Sequence, residues 1–159
     1  MTINHLTQAH AQEIADHWHY PGEYAFYDMT ADPEDYAEII DEKARGDRYF
    51  EVIARGQLIG FFVVEPSDEP DTLELGLGMA PVLTGRGDGA AFLRTILTYL
   101  QSHYAKRWLI LDVAAFNVRA QKVYAKAGFQ PISTHQQITN GSTYPFITMR
   151  GPWPEEEKA

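Results

Sequence analysis

The spacing of hydrophobic and polar positions changes along the chain, and these changes predict helices interleaved with strands. From Gly89 to about Tyr104, apolar side chains recur on one helical face, at Phe92, Leu93, Ile96, Leu97 and Leu100. The run from Trp108 to Val113 is short and almost wholly apolar, which is typical of a buried strand. Leu73 to Met79 is another predicted strand, and it leads into Pro81 and a cluster of glycines. A strand, a glycine loop, a long helix and a second strand predict a right-handed crossover between parallel strands.

The segments before this crossover predict one strand, two helices and a hairpin. Thr7 is a suitable N-cap for the first helix, and Asp32-Pro33 suits the start of the second. Arg55-Gly56 has the composition of a hairpin turn. In chain order we expect a strand over 2–6, a helix over 7–17, an aromatic connection over 18–29, a helix over 33–46, and strands over 48–54 and 57–65.

The C-terminal part predicts a short helix and a final hairpin. A helix from Val118 to Ala127 is stopped by Gly128, and Asn140-Gly141 is a strong type I′ turn signal between two strands. The last residues are rich in proline and glutamate and predict a frayed acidic tail. We therefore expect a single α/β domain over 1–151 and a tail over 152–159.

Composition and charge exclude several classes of function. The chain has 159 residues, no cysteine and a formal net charge of −9, so cysteine-based metal or nucleophile chemistry is excluded. A nucleic-acid partner is disfavoured because it requires a basic surface. The six histidines lack ligand spacing, so we expect no metal site. No membrane span or secretory signal is predicted, which favours a cytoplasmic protein.

The segment Thr84 to Gly89 is a candidate anion-binding loop. Its three glycines allow the backbone to approach a phosphate closely, and the free N–H groups of the following helix point at such an anion. A nucleotide-hydrolysing P-loop is excluded because neither lysine nor serine or threonine follows Gly89. A dinucleotide fingerprint is matched by Gly85, Gly87 and Ala90, with Asp112 as the ribose-binding acid. Against it, only 47 residues follow Asp112 in the 159-residue chain.

A second motif lies one crossover later, in Asn117, Ala120, Tyr124, Gly128 and Phe129. Asn117 is a good N-cap, and Gly128 followed by an apolar residue suits a helix end. Alone, this pattern indicates a well-capped helix with a core tyrosine. Together with the glycine loop, it resembles the GCN5-related N-acetyltransferase (GNAT) superfamily, in particular its small bacterial enzymes.

The resemblance covers about 73–129 and includes two departures from the family pattern. The family's loop has the form Gln/Arg-x-x-Gly-x-Gly/Ala, and Gly87 and Gly89 supply its small residues. Thr84 stands where glutamine or arginine is expected, and Asp88 is an unusual acid beside a pyrophosphate. We expect Asp88 to turn outward and cap the long helix, and Arg86 to compensate partly for Thr84.

The resemblance implies the fold and the co-substrate. It implies a mixed, mostly antiparallel sheet splayed between two parallel strands, flanked by helices, with acetyl-CoA bound at the splay and no metal. The backbone of Met79 and the side chain of Asn117 would hold the pantetheine arm. The ADP end would lie across the loop formed by Thr84, Gly85, Arg86, Gly87, Asp88, Gly89 and Ala90.

The implied reaction is transfer of an acetyl group to a primary amine by direct attack in a ternary complex. Tyr124 would protonate the leaving thiolate, and backbone N–H groups near Leu77 to Met79 would polarise the thioester carbonyl. Glu74, within an otherwise apolar strand, is the first candidate for the base. An ion-paired structural role for Glu74 is equally compatible with the sequence, and Asp112 and Glu65 are weaker candidates.

The aromatic connection from Trp18 to Met29 is the candidate acceptor pocket. Its aromatic rings and carboxylates suit an ammonium group, and we expect Glu23, Tyr24 and Tyr27 to contact the acceptor. The same segment also suits a lid or a dimer contact, and the sequence is compatible with a monomer or a homodimer. The acceptor would be a small-molecule amine or a protein N-terminus. Two alternative functions stay open: a non-catalytic acetyl-CoA-binding sensor and a dinucleotide-binding oxidoreductase.

Overall fold

The structure, a computed structural model, describes residues 1–155, and these residues contain one seven-stranded sheet flanked by helices. The helices are α1 Gln8–His17, α2 Pro33–Ile40, α3 Glu42–Arg45, α4 Gly89–His103 and α5 Val118–Lys126. The strands are β1 Thr2–His5, β2 Tyr49–Ala54, β3 Gln57–Pro66, β4 Thr72–Met79, β5 Trp108–Ala114, β6 Gln130–Thr139 and β7 Ser142–Pro152.

The sheet has the order β1-β2-β3-β4-β5-β7-β6, and the β4–β5 pair is parallel. The pairs β1–β2, β2–β3 and β5–β7 are antiparallel. The predicted mixed α/β class with a mostly antiparallel sheet is therefore confirmed. No helix within residues 1–155 is both long and apolar enough to cross a lipid bilayer.

Local signals in the sequence fix most element ends, with one correction. The backbone φ angles of Arg55 and Gly56 are +54° and +74°, and those of Asn140 and Gly141 are +52° and +74°, as the two predicted hairpin turns require. The single helix predicted over 33–46 is wrong, because Asp41 divides it into α2 and α3. The Asp41 backbone is extended and its side chain accepts a hydrogen bond from the Lys43 N–H at 3.0 Å, so it caps a new helix.

The chain divides into two compact units, and the first contains residues 1–63, 77–84 and 137–144. Its core forms where α1 and α2 bury apolar side chains with residues of β2 and β3. The Thr7 hydroxyl caps α1 by accepting a hydrogen bond from the His10 N–H at 3.2 Å. The buried cluster comprises Leu6, Ala11, Ile14, Ala15, Trp18, Ile39, Tyr49, Phe61 and Ala80.

The second unit contains residues 64–76, 85–136 and 145–159, of which those after 155 lie outside the described residues. The predicted helical face of α4 is confirmed, because Phe92, Leu93, Ile96 and Leu100 are all buried. In β5, Leu109, Leu111 and Val113 are buried while the residues between them are not. Of the predicted acidic tail over 152–159, residues 152–155 are described and 156–159 lie outside the described residues. Its first residue, Pro152, ends β7.

The parallel pair opens within the second unit. Its register of residue pairs ends with Glu74 opposite Ile110. Beyond this pair, β4 continues in the unit to Gly76 and β5 continues to Ala114, where β5 remains paired with β7. This is the opening between parallel strands that the resemblance implied.

Candidate active site

Two glycines shape the candidate anion-binding loop in the second unit. Gly85 and Gly87 have φ angles of +74° and +83°, a conformation that costs other residues about 1–2 kcal/mol. Gly89 begins α4 and has no positive φ angle. A Cβ atom added to Gly89 would lie 3.4 Å from Cγ2 of Val123, which is ordinary van der Waals contact with α5.

Arg119 is a charged neighbour of this loop that sequence reasoning missed. A Cβ atom added to Gly85 would lie 3.1 Å from Nη1 of Arg119. Arg119 occupies the first turn of α5, where a positive charge opposes the helix dipole. A basic residue at this unfavourable place in the sequence is the signal that could have identified Arg119 as part of the site. The loop thus combines a permissive backbone, a helix N-terminus and a guanidinium group, which together suit a phosphate or pyrophosphate.

The two departures from the family pattern have different local effects. The Thr84 hydroxyl donates a hydrogen bond to the Pro81 carbonyl oxygen at 2.8 Å, so it closes its own turn. Asp88 occupies the N-cap position of α4, but its side chain makes no capping hydrogen bond, so the expectation that it caps the helix is wrong. Its backbone is helical, with φ −85° and ψ −7°, whereas capping side chains usually need an extended backbone. Asp88 and Arg86 are both exposed.

Helix α5 is fixed at both ends as the sequence predicts. The Asn117 side-chain oxygen accepts a hydrogen bond from the Ala120 N–H at 3.1 Å. At the other end, Gly128 has φ +98°, and the Phe129 N–H donates to the Tyr124 carbonyl oxygen at 3.0 Å. The partly buried Tyr124 ring lies 6.3 Å from the buried Phe129 ring, centroid to centroid. These caps give the Asn117 and Tyr124 side chains defined positions on one short helix.

Glu74 lies in an acidic environment on the less buried face of the second unit. Asp112 lies two residues beyond Ile110 on β5 and therefore shares the face of Glu74. Burial first, and then the charges of Asp112, Glu65 and Asp68, raise the pKa of the Glu74 carboxyl group. Glu74 therefore holds a proton to a higher pH than an ordinary glutamate, which suits a general base more than a fixed ion-pair partner.

A short hydrogen bond holds Asp112 on this face. The Thr148 hydroxyl donates to Oδ1 of Asp112 at 2.6 Å, and Nε2 of His135 lies 3.9 Å from Oδ2. Asp112 therefore has its own structural partners on β7 and β6. Asp112 is thus engaged by the neighbouring strands, whereas the raised pKa of Glu74 suits a group that exchanges a proton.

In the first unit, the end of β4 contacts the aromatic segment, defined as residues 18–29. The Tyr20 phenol donates a hydrogen bond to the Met79 carbonyl oxygen at 2.6 Å. Burial raises the pKa of the Tyr20 phenol, which keeps it protonated as a donor. The Met79 carbonyl oxygen therefore already accepts one hydrogen bond, from Tyr20, which the sequence did not predict. A carbonyl oxygen has two lone pairs, so it can accept a second hydrogen bond as well.

The three predicted acceptor-contacting residues share one short turn in the first unit. Glu23, Tyr24 and Tyr27 all belong to the 3₁₀ helix Gly22–Tyr27, in which no residue is buried. Glu23 is exposed, and the two tyrosines are partly exposed. A second carboxylate, Asp28, accepts the Tyr20 N–H at 2.8 Å and contacts Nδ1 of His19 at 3.0 Å. The turn therefore presents aromatic and acidic groups together.

Comparison with known proteins identifies a family. Residues 1–130 of the chain match the family of acetyltransferase (GNAT) domains. The comparison with curated proteins found no match. The family match covers the glycine loop and the whole of α5.

Solved structures with the same fold cover nearly the whole chain at low sequence identity. A chimera of the spermidine N-acetyltransferase SpeG from Vibrio cholerae and hSSAT has 20% identity and a TM-score of 0.73, covering 96% of both chains. The ribosomal-protein-alanine N-acetyltransferase from Brucella melitensis has 18% identity and a TM-score of 0.67, covering 96% of this chain and 99% of its own. A phosphinothricin acetyltransferase from Sinorhizobium meliloti, in complex with acetyl-CoA, has 16% identity and a TM-score of 0.67, covering 96% and 88%.

Proposed function

Because the chain belongs to the GNAT acetyltransferase family, we propose that it transfers the acetyl group of acetyl-CoA to a primary amine. One observation carries the proposal. The loop from Gly85 to Ala90 has two glycines with positive φ, lies at the start of α4, and has the Arg119 guanidinium beside it. This set suits the pyrophosphate of a coenzyme.

The proposed coenzyme contacts in the second unit combine the loop with Arg119 and Asn117. Backbone N–H groups of Gly85, Gly87 and Gly89 donate hydrogen bonds to the pyrophosphate oxygens, and Arg119 supplies the positive charge that Thr84 cannot. The Asn117 amide holds the pantetheine arm from α5. In the phosphinothricin acetyltransferase of the same fold, the bound molecule is acetyl-CoA.

The chemistry uses two side chains of the second unit. The bound ammonium group first loses one proton to solvent. The neutral amine nitrogen then attacks the thioester carbonyl, and the proton that the nitrogen must lose on forming the amide passes to Glu74, directly or through a water. The carbon–sulfur bond then breaks, and the Tyr124 phenol protonates the departing thiolate. A direct attack of this kind requires both substrates on the enzyme together.

The acceptor is a primary amine that is protonated in solution. The aromatic and acidic groups of Glu23, Tyr24 and Tyr27 suit an ammonium ion. Proteins of the same fold carry names that specify spermidine and the alanine of a ribosomal protein. The proposed acceptor class is therefore a small-molecule amine or a protein N-terminus.

Thermal unfolding with different ligands tests the coenzyme assignment. Acetyl-CoA at about 100 times its Kd should add roughly 2.7 kcal/mol of stability, a shift of several degrees in Tm. Arg119→Ala should weaken this effect strongly, whereas Lys126→Ala, which removes a charge from the last turn of the same helix, should not. Stabilisation by NAD but not by acetyl-CoA would overturn the proposal in favour of a dinucleotide-binding oxidoreductase.

Thiol release with a panel of amines tests catalysis separately from binding. Tyr124→Phe should lower kcat by about 10²–10⁴-fold and leave the acetyl-CoA Kd unchanged, because it removes only the proton donor. Acetyl-CoA binding without thiol release for every amine in the panel would favour the sensor function, and an unaltered rate in the variant would exclude Tyr124 as the acid.

A further inference from the structure

Asp32 connects two segments that are distant in sequence within the first unit. Its Oδ1 atom accepts hydrogen bonds from the Glu34 and Asp35 N–H groups, at 2.9 and 3.3 Å, and so caps α2. Its Oδ2 atom accepts the Thr139 hydroxyl at 2.8 Å and the Asn140 N–H at 3.1 Å. One carboxylate therefore joins the start of α2 to the β6–β7 turn.

Asn140 extends this connection to the aromatic segment. Its side-chain amide donates a hydrogen bond to the Phe26 carbonyl oxygen at 2.8 Å. The Phe26 ring also packs edge to face on the Tyr144 ring, with 4.9 Å between centroids. The β6–β7 hairpin therefore contacts the aromatic segment through a hydrogen bond from its turn and an aromatic pair from β7.

The middle of the aromatic segment lies outside the hydrophobic core. Its ends are anchored in the core, with Trp18 buried and Met29 packed against the same cluster. Between them, Gly22–Tyr27 is a 3₁₀ helix with no buried residue and no side-chain cap. Such a turn has poor internal hydrogen-bond geometry, so its position depends on the contacts of its backbone and rings with the rest of the unit.

We propose that Asp32 and Asn140 form a latch that holds the aromatic segment against the β6–β7 turn and thereby positions the residues that bind the acceptor amine. The inference rests on the proposed function, since it assigns the acceptor to Glu23, Tyr24 and Tyr27. The latch residues do not touch substrate. They act through the Phe26 backbone, which lies between Tyr24 and Tyr27.

Asn140→Gly tests the latch without disturbing the turn. Asn140 has a φ of +52°, and glycine adopts this conformation readily, so the hairpin is retained while the amide donor is lost. Arg55→Gly is the matched control, because Arg55 has a φ of +54° at the equivalent position of the β2–β3 turn. Asp32→Ser is a second variant: serine still caps α2, but it lacks the second oxygen that receives the turn.

We expect Asn140→Gly and Asp32→Ser to raise the acceptor KM by about threefold to tenfold, the effect of losing one or two hydrogen bonds. The acetyl-CoA KM should stay unchanged in both, and Arg55→Gly should match the wild type in both constants. An unchanged acceptor KM in the two latch variants would overturn the assignment of acceptor positioning to the latch.

Hydrogen exchange separates a failed latch from a failed function. The N–H groups of Asp28, Ala31 and Asp32 are hydrogen-bonded within the turns of this region and report its order. They should exchange about threefold to tenfold faster in Asn140→Gly and at the wild-type rate in Arg55→Gly. Faster exchange in a protein that acetylates no amine would sustain the latch and reject the proposed function. Unaltered exchange would reject the latch whatever the activity.

Discussion

The glycines of the candidate coenzyme loop differ in their physical roles at the level of single residues. Gly85 and Gly87 supply positive φ angles, whereas Gly89 has no positive φ and a Cβ atom there would make an ordinary van der Waals contact with Val123. A glycine count alone predicts an anion-binding loop but does not distinguish these requirements. The distinction matters because alanine at Gly87 would strain the backbone without a clash, whereas alanine at Gly89 would make an ordinary van der Waals contact with α5.

Glu74 allows a prediction of pH dependence at the same scale. Because burial and the neighbouring carboxylates raise its pKa, the acidic limb of the kcat/KM profile should lie above the pH expected for an ordinary glutamate. Asp112→Asn removes one of these charges, so the limb should move to lower pH. Glu74→Gln should lower kcat/KM by about 10²–10⁴-fold, which a pH-resolved thiol-release assay measures.

The sign of the accompanying stability effect follows from the same shift. A raised pKa in the folded state means that Glu74 favours folding while protonated, and this contribution is lost as the pH rises through the raised pKa. Asp112→Asn should reduce that loss of stability at higher pH.

Asp71→Asn is the control for Asp112→Asn, because it removes an exposed charge of the same unit from a position with φ +53° that asparagine tolerates. Equal acidic limbs in the wild type and Asp112→Asn would contradict the coupling.

At the scale of elements, α5 combines a structural cap with a proposed coenzyme contact, and two substitutions at Asn117 separate them. Asn117→Ala removes the acceptor for the Ala120 N–H and should cost about 1 kcal/mol of stability. Asn117→Asp keeps a capping oxygen, so its free energy of unfolding should stay close to that of the wild type. Both variants lose the amide donor, and both should therefore raise the acetyl-CoA KM.

Measured stability and acetyl-CoA KM decide between the two roles of Asn117. Denaturant unfolding gives the free energy of each variant, and initial rates give the KM. If Asn117→Asp retained both the wild-type stability and the wild-type KM, Asn117 would be a helix cap only.

The elements show why part of the site could be predicted and part could not. The caps at Asn117 and Gly128 and the turn at Asn140-Gly141 depend on neighbouring residues, so local chemistry predicted them correctly. The division of the second predicted helix at Asp41 was also encoded locally, in a residue that caps readily, and was overlooked.

Contacts between distant segments were beyond the reach of the sequence pattern. Arg119 meets Gly85, and the Tyr20 phenol meets the Met79 carbonyl, only after the chain has folded. The Asp32 carboxylate was recognised as the start of a helix, but its second oxygen binds a turn more than a hundred residues away. Neither periodicity nor composition carries information about such partners.

At the scale of the whole molecule, we propose that residues 1–151 behave as one domain although they divide into two compact units. Four strands, β3, β4, β6 and β7, each contribute residues to both units. Unfolding of one unit would therefore shorten these four shared strands. We expect a single cooperative transition in urea, with the same midpoint for every probe.

The tryptophans provide one probe for each unit. Trp18 is buried in the first unit, whereas Trp108 and Trp153 belong to the second. In Trp18→Phe, fluorescence reports only the second unit, and in the double variant Trp108→Phe, Trp153→Phe it reports only the first. The substitutions shift the absolute midpoints, so in each variant the fluorescence midpoint is compared with that of far-ultraviolet circular dichroism. Coincident transitions within both variants would support one domain, and a fluorescence transition displaced from the dichroism transition would show that the units unfold separately.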